Sequence, residues 1–161
     1  MSQASPQPDK PGLLLRMLLP MIRWFWPRIG TPLHVRLYRL LGGRLVGGGS
    51  LLLTTLGRRS GKPRTVIIGY LRDGEDVIVS DTNVTKPALP AWELNLLSDP
   101  EAQVQLGRER YQARAEFLEG EDRARHWDQL VSADAGYDWV QQLVGREMSV
   151  IRFRRIMGSS E

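Results

Sequence analysis

The sequence contains no cysteine, and only two histidines, His34 and His126, occur among its 161 residues. Without cysteine the chain has no disulfide, no thiolate nucleophile, no iron–sulfur cluster and no cysteine-ligated zinc site. Two isolated histidines argue against a metal centre, and we expect none. Redox chemistry, if the protein performs it, therefore has to come from a bound organic cofactor.

The chain also lacks an apolar run long enough to cross a bilayer. Its most apolar segment, residues 13–26, is 14 residues long and is interrupted by Arg16, Pro20 and Arg23, whereas a membrane-spanning helix needs about 20 apolar residues. A secretory signal is not supported, because a charge lies inside the apolar run and no small-residue cleavage site follows it. We therefore expect a cytoplasmic protein, either free or held peripherally on the inner face of the cell membrane.

Acidic residues are almost missing from the first part of the chain. Residues 1–72 carry 12 basic side chains and one acidic one, whereas residues 73–161 carry 10 basic and 17 acidic ones. The net charges are therefore +11 and −7, and arginine outnumbers lysine by 19 to 3. The pattern favours a surface that attracts phosphate, nucleic acid, anionic lipid or an acidic cofactor, although genome composition alone also produces an arginine bias.

Composition divides the chain into three parts. Residues 1–12 are polar and rich in proline, and we expect them to be a disordered lead-in. Residues 13–44 are expected to form an N-terminal helical extension, whose amphipathic part, 13–26, either lies on a membrane or packs on the domain or a second subunit. Residues 45–157 carry short apolar runs and are expected to form the cofactor-binding domain.

Short strands joined by turns dominate that domain. Hydrophobic alternation and turn residues predict an α+β, mainly β fold: a small barrel of about six mostly antiparallel strands decorated by helices. Helices are predicted over 90–97 and 121–131. The predicted strands cover 51–56, 65–72, 77–80, 102–106, 110–118 and 148–153.

The predicted helix over 121–131 has an amphipathic pattern. Its inward side is expected to carry Ala124, Trp127, Leu130 and Val131. His126 is expected to face solvent, and Glu121 is expected to pair with Arg125 across one helical turn.

The turn over residues 57–64 reads Gly-Arg-Arg-Ser-Gly-Lys-Pro-Arg. It is not a P-loop, since only three residues separate its glycines and a strand follows. Four positive charges on one turn repel each other, which favours a bound anion held by the side chains and backbone amides. A solvated basic turn is the alternative. The candidate anion-binding residues are Arg58, Arg59, Ser60, Lys62 and Arg64.

Two further segments carry candidate ligand residues. The long loop over residues 80–91 offers Thr82 and Asn83, and the helix after it could place Trp92 and Asn95 at the same cleft, although Trp92 also suits simple core packing. The second segment, residues 136–139, is read as a loop. Its two aromatics, Tyr137 and Trp139, either line a flat pocket or cap the barrel.

Four stretches of the chain together resemble the deazaflavin-dependent nitroreductase family, whose members are coenzyme F420-dependent quinone and nitro reductases. The resemblance spans about residues 45–155, and its most specific parts are the GRxSGxxR turn and the PxWxxNL helix. It implies a split β-barrel fold, in agreement with the strand pattern. The four stretches are LLLTTLGRRSGKPR, YLRDG, PAWELNLLSDP and VQLGRERYQARAEFLEGEDRARHW.

The resemblance also implies a coenzyme and a reaction. Coenzyme F420 carries a phosphodiester and a polyglutamate tail, which explains the demand for an anion-binding site and makes FMN the less favoured cofactor. By resemblance, Arg59, Ser60, Lys62 and Arg64 hold its phosphate end, and Trp92 and Asn95 border the same groove. Hydride would pass from the reduced coenzyme to a quinone-like, nitro or other unsaturated acceptor, with Tyr137 as the candidate catalytic hydrogen-bond donor.

Two positions depart from the family pattern. Where members commonly have a hydroxyl residue followed by lysine and two glycines, this chain has Thr82-Asn83-Val84-Thr85. Active nitroreductases tend to carry a second tyrosine where this chain has Val140. The departures bear on coenzyme affinity and on the choice of acceptor.

Two other functions fit parts of the sequence. The same barrel could carry FMN, haem or an acylated ligand without catalysis. Nucleic-acid binding is disfavoured, because the basic residues lie on a helix and a turn and not across an aromatic-studded sheet. The acceptor itself is open: a lipid-soluble quinone would suit the 13–26 segment at a membrane face. The oligomeric state is also open, a homodimer included.

Overall fold

A computed structural model describes Val35, Tyr38, residues 49–81 and residues 88–156. The predicted lead-in, the amphipathic segment 13–26, and the candidates Thr82 and Asn83 lie outside these residues. Residues 49–81 and 88–156 form seven strands and three helices, and Val35 and Tyr38 are also helical. The elements are β1 (Ser50–Leu56), β2 (Pro63–Gly69), β3 (Leu71–Asp73), β4 (Asp76–Ser80), α1 (Ala91–Ser98), β5 (Glu101–Leu106), β6 (Glu109–Phe117), α2 (Gly120–Ala133), α3 (Gly136–Val144) and β7 (Val150–Arg155).

The seven strands form one sheet in the order β2-β1-β5-β6-β7-β4-β3, and every paired neighbour is antiparallel. The two edge strands, β2 and β3, follow each other in the chain and are separated only by Tyr70. The chain therefore bends at Tyr70 and passes from one sheet edge to the other, which curls the sheet into a half-barrel. This confirms the mainly β split-barrel prediction.

One strand prediction was wrong in its extent. The apolar run at 65–72 was read as one strand, but its first part pairs with β1 and its second part pairs with β4. Apolar residues continue through the bend because both parts contribute to the core, so the sequence pattern does not mark the change of partner.

Side-chain alternation places the barrel core. Leu51 and Leu53 of β1 point into the barrel, where they pack with Trp92 of α1 and Phe153 of β7. Leu52 points outward and packs against Tyr38 and Val35, which are helical. On β6 every second residue packs on the same core, as is usual for a strand with one buried face: Tyr111, Ala113, Ala115 and Phe117.

Two helices cover the outer face of β4 and β7. Leu130 of α2 and Tyr137 of α3 pack on Ile78 and Val150. The prediction that residues 136–139 form a loop was wrong, since they open α3. Tyr137 and Val140 are buried three residues apart, which is helical spacing, and the carboxylate of Asp134 accepts a hydrogen bond of 2.8 Å from the Gly136 amide at the helix start.

The predicted orientation of α2 was also wrong in part. His126 is completely buried, whereas Ala124 is exposed. Arg125 pairs with Asp122 at 2.9 Å and not with Glu121. The physical reason is that the barrel offers polar partners to His126, so the helix turns a polar side chain inward where an apolar pattern predicts the opposite.

No helix in the described part of the chain is long and apolar enough to cross a membrane.

Candidate functional site

The sheet register gathers the arginine-rich turn and α1 at one end of the barrel. Leu56 pairs with Pro63 at the end of the β1–β2 hairpin, and Thr55 pairs with Ala102 at the start of β5. Because α1 leads directly into β5, it crosses this same end and contacts β1. The turn and α1, which are 37 residues apart from Arg58 to Asn95, are neighbours in the fold.

The turn is closed by its own backbone. The Gly57 amide donates to the Lys62 carbonyl at 2.9 Å, and the amides of Ser60 and Gly61 donate to the Gly57 carbonyl at 2.9 and 2.7 Å. Gly61 has φ of 61°, in the left-handed region that glycine adopts without strain. A Cβ on Gly57 would lie 2.8 Å from the Ser60 hydroxyl, so the turn also needs glycine there for space. These amides are already used, so the expectation that they clasp an anion is not supported.

Four exposed cations surround this turn. Arg58, Arg59, Lys62 and Arg64 are all exposed, and none makes an ion pair with a carboxylate of residues 49–81 or 88–156. The second half of the chain differs from the turn, because most of its arginines form an ion pair with a carboxylate. The paired arginines there are Arg123, Arg125, Arg146, Arg152, Arg154 and Arg155. The donor set on the turn therefore suits a ligand with several negative charges.

Two of the predicted ligand residues lie behind the turn. Trp92 is only 7% exposed and packs in the barrel core. This is the core-packing alternative that the sequence left open for it. Asn95 is 3% exposed. Its amide group donates to the Thr55 hydroxyl at 3.0 Å and accepts a hydrogen bond of 3.1 Å from the Arg58 amide. Its polar atoms are thus engaged with the protein.

A buried acid that the sequence reading passed over lies on the same helix. Glu93 is fully buried, and neither carboxylate oxygen has a partner with good hydrogen-bond geometry among residues 49–81 and 88–156. Burial raises its pKa, which the nearby Ser149 hydroxyl and Arg146 oppose and the Asp81 carboxylate reinforces. Arg146 itself pairs with Asp81. One sign in the sequence marks Glu93 as unusual, which is that it is the only acidic residue in the apolar stretch of α1.

The predicted substrate residues separate in the structure. Tyr137 is buried, its ring meets that of Trp127 edge-on at 6.4 Å, and burial raises the pKa of its phenol. A Cβ on Gly69 would lie 3.0 Å from the Tyr137 hydroxyl, so this glycine leaves room for it. Trp139 is 57% exposed, so its ring is available to a ligand.

The turn and Tyr137 mark opposite ends of β2. The strand starts at Pro63, beside the turn, and ends at Gly69, beside the Tyr137 hydroxyl. Six residue steps of an extended strand span about 20 Å. A single ligand that uses both ends therefore has to be elongated, with its negative charges at one end.

No cluster of three or more acidic or histidine side chains in the described residues is arranged to hold a metal ion.

Comparison with known proteins decides the family. The family model for F420H(2)-dependent quinone reductase matches residues 26–153. The chain belongs to this family. An F420H(2)-dependent quinone reductase of Mycobacterium tuberculosis is 29% identical over 144 residues, which are 83% of this chain and 97% of the relative.

Two solved structures resemble this quinone reductase family member. The structure of an F420-H2 dependent reductase shares 28% identity at a TM-score of 0.60 and covers 66% of this chain and 94% of its own. A second, described as a domain-swapped dimer, shares 26% identity at a TM-score of 0.63 and covers 76% and 95%. The protein is accordingly an F420-dependent oxidoreductase, and its cofactor is coenzyme F420.

Proposed function

We propose that the protein oxidises reduced coenzyme F420 and passes hydride to a quinone-like or other unsaturated acceptor. The observation that carries the proposal is the turn closed by its own backbone hydrogen bonds, whose four exposed cations make no ion pair with a carboxylate of residues 49–81 or 88–156. A coenzyme with a phosphodiester and a polyglutamate tail supplies the negative charges that this turn lacks.

The residues at the two ends of β2 fit the two ends of such a coenzyme. Arg58, Arg59, Lys62 and Arg64 would hold its phosphate end through charged hydrogen bonds, and the Ser60 hydroxyl lies on the same exposed turn. Its elongated shape matches the separation between the turn and Tyr137. FMN ends at its phosphate and lacks the polyglutamate tail, so it offers fewer negative charges to the four cations of the turn, which favours F420 over FMN.

The coenzyme, when bound, supplies the hydride, and the protein supplies orientation and a hydrogen-bond donor. Tyr137 is the candidate hydrogen-bond donor, because its phenol is protonated at neutral pH and burial raises its pKa further. A phenol hydrogen bond stabilises negative charge as it develops on an acceptor oxygen. The exposed ring of Trp139, two residues away on α3, offers a flat apolar surface to the acceptor.

The test is a fluorescence titration of the protein with coenzyme F420. The double variant Arg59→Ala/Arg64→Ala is expected to raise Kd by about a hundredfold or more, since each charged hydrogen bond is worth about 1.5–3 kcal/mol and 1.4 kcal/mol is tenfold in affinity. A control double variant, Arg108→Ala/Arg125→Ala, removes two exposed arginines elsewhere and is expected to leave Kd unchanged. Equal affinity in both double variants would remove the turn from the site.

The same titration separates this function from a carrier of FMN or haem. FMN and haem are titrated beside F420 under identical conditions. Reduced F420 is then mixed with a soluble naphthoquinone, and loss of the reduced coenzyme is followed by absorbance. Tight FMN or haem binding with no F420-dependent turnover would favour the carrier.

Two expectations about partners remain proposals. A homodimer is proposed on the strength of the related structure described as a domain-swapped dimer, and light scattering of the purified protein tests it. Peripheral contact of a cytoplasmic protein with the membrane is proposed for residues 13–26, which the structure does not describe. Flotation with anionic vesicles, compared between the full chain and a variant that lacks residues 1–26, tests this contact.

A further inference from the structure

The side chain of Asn95 connects α1 to the arginine-rich turn. Its Nδ2 donates to the Thr55 hydroxyl at 3.0 Å, and its Oδ1 accepts a hydrogen bond of 3.1 Å from the backbone amide of Arg58. Asn95 is 3% exposed and Thr55 is 2% exposed. Both polar ends of the amide group are therefore used inside the protein, away from solvent.

The bond to Arg58 differs from the other hydrogen bonds of the turn. Those of Gly57, Ser60, Gly61 and Lys62 close the turn on itself. They fix its internal shape but not its direction relative to the barrel. Within the described residues, the contact from Asn95 is the hydrogen bond that ties residues 57–62 to a different element, and it acts on the residue where the cations begin.

The neutral side-chain amide of Asn95 is well suited to restraining the arginine-rich turn. Four like charges on one turn repel each other, so the turn needs a restraint that leaves those charges free for a ligand. A carboxylate at this position would accept the same bond but would place a negative charge beside the cations and compete with an anionic ligand. The neutral asparagine restrains the backbone without reducing the positive charge.

We propose that Asn95 is a positioning residue for coenzyme binding. It holds the Arg58 backbone, and through it the neighbouring Arg59, in the arrangement that receives the anionic end of the coenzyme, and it makes no contact with the coenzyme. This inference rests on the proposed function of the turn. It replaces the expectation, implied by the resemblance, that Asn95 borders the ligand groove.

A double-mutant cycle on the full chain tests the proposal. Kd for coenzyme F420 is measured by fluorescence titration for wild type, Asn95→Ala, Arg59→Ala and the combined variant. We expect Asn95→Ala to raise Kd about tenfold in the wild-type background and by less than threefold in the Arg59→Ala background, because the replaced cation no longer needs positioning. With saturating reduced coenzyme, kcat is expected to stay within twofold of wild type.

Three further variants sharpen the test. Thr55→Val keeps the size of the side chain and removes the oxygen that Asn95 donates to, so it is expected to raise Kd in the same direction by a smaller factor. Asn95→Asp keeps the acceptor for Arg58 but adds charge, and it is expected to weaken coenzyme binding most at low salt. Leu97→Ala, on the exposed side of the same helix, is the control and is expected to leave Kd unchanged.

The outcomes separate the inference from the proposed function. An equal effect of Asn95→Ala in both backgrounds means that Asn95 contacts the coenzyme directly, which overturns the inference alone. A lower Tm with unchanged Kd means a purely structural role and also overturns it. If Arg59→Ala/Arg64→Ala binds F420 as tightly as wild type, the proposed function of the turn fails and the inference fails with it.

Discussion

The imidazole Nε2 of His126 lies 2.9 Å from the carboxylate of Asp73, a contact that joins α2 to the hairpin of β3 and β4. The ring is completely buried, and its Nδ1 lies 2.7 Å from the carbonyl oxygen of Asp122. Arg152 lies beside the pair, 3.8 Å from the Asp73 carboxylate. The network fixes how α2 sits on the barrel.

Replacing His126 by leucine removes both contacts and puts an apolar side chain of similar size in their place. We expect the free energy of unfolding to fall by about 1–3 kcal/mol, because the buried ring's contacts with the Asp122 carbonyl and the Asp73 carboxylate are lost. Urea denaturation at pH 7 measures the change. Arg125→Ala, which breaks only an exposed ion pair one residue away, is the control and is expected to cost no more than about 0.5 kcal/mol.

The Asp73 carboxylate gives the fold a dependence on acid pH. The hydrogen bond with His126 is the main cause that lowers the pKa of Asp73 below 3.8. A carboxyl whose pKa is lowered by folding adds stability above its unfolded value, and that stability is lost as the pH falls through the folded value. Wild type should therefore lose stability below pH 3.8 more steeply than Asp73→Asn. Parallel urea midpoints for the two proteins between pH 5 and 2.5 would contradict this.

Glu93 gives the stability of the fold a pH dependence opposite in sign to that of Asp73. Burial raises its pKa above 4.5, so its contribution to stability is complete below pH 4.5 and is lost as the pH rises through the folded value. Glu93→Gln removes the ionisation of a fully buried carboxylate. The variant should be more stable than wild type at pH 8 by about 1–3 kcal/mol, and the difference should shrink at pH 4. Thermal unfolding at both pH values measures it.

Gly57→Ala tests the space inside the arginine-rich turn. The added Cβ would lie 2.8 Å from the Ser60 hydroxyl and 3.2 Å from the Lys62 carbonyl, so the turn has to open. We expect Kd for coenzyme F420 to rise about tenfold, or about 1.4 kcal/mol, with little loss of fold. Gly74→Ala, in the β3–β4 turn, introduces backbone strain at φ of 63° far from the cations. That control should lower Tm without changing Kd, and a change in its Kd would argue against a local effect at Gly57.

Tyr137→Phe tests the candidate hydrogen-bond donor. Removing the hydroxyl should lower kcat by about a hundredfold, the usual effect of losing one donor to developing negative charge, while Kd for F420 stays unchanged. Burial raises the pKa of the phenol above 10.0, so the wild-type rate should show no loss of Tyr137 protonation up to pH 9. Steady-state rates with a soluble naphthoquinone measure both effects. Tyr111→Phe, on β6, is the control, and an equal loss there would contradict the assignment.

Local signals in the sequence were sufficient for most of the fold. Hydrophobic alternation and turn residues act over short distances along the chain, so they were enough to predict a mainly β fold of short antiparallel strands. Tyr70 was different. Which neighbour a strand pairs with on either side of that bend depends on closure of the whole sheet, and no local pattern records it.

The candidate site also has features that the sequence revealed and features that it did not. The four cations of the turn were evident from the sequence because charge density is a local property. The role of Asn95 was not, since an asparagine that borders a ligand and one that holds a backbone amide look alike until the partner 37 residues away is known. His126 was misplaced for a related reason, because its buried position depends on Asp73 in another element.

By itself the sequence determined that this protein has a turn with four cations, a mainly β barrel and the family motifs of an F420-dependent reductase. Those features follow from residue type and spacing along the chain. Only the tertiary structure decided which polar side chains support the site and which remain free to bind. That choice depends on which side chains the closed sheet brings within hydrogen-bond distance, and such distances are set by the packing of elements remote in the chain.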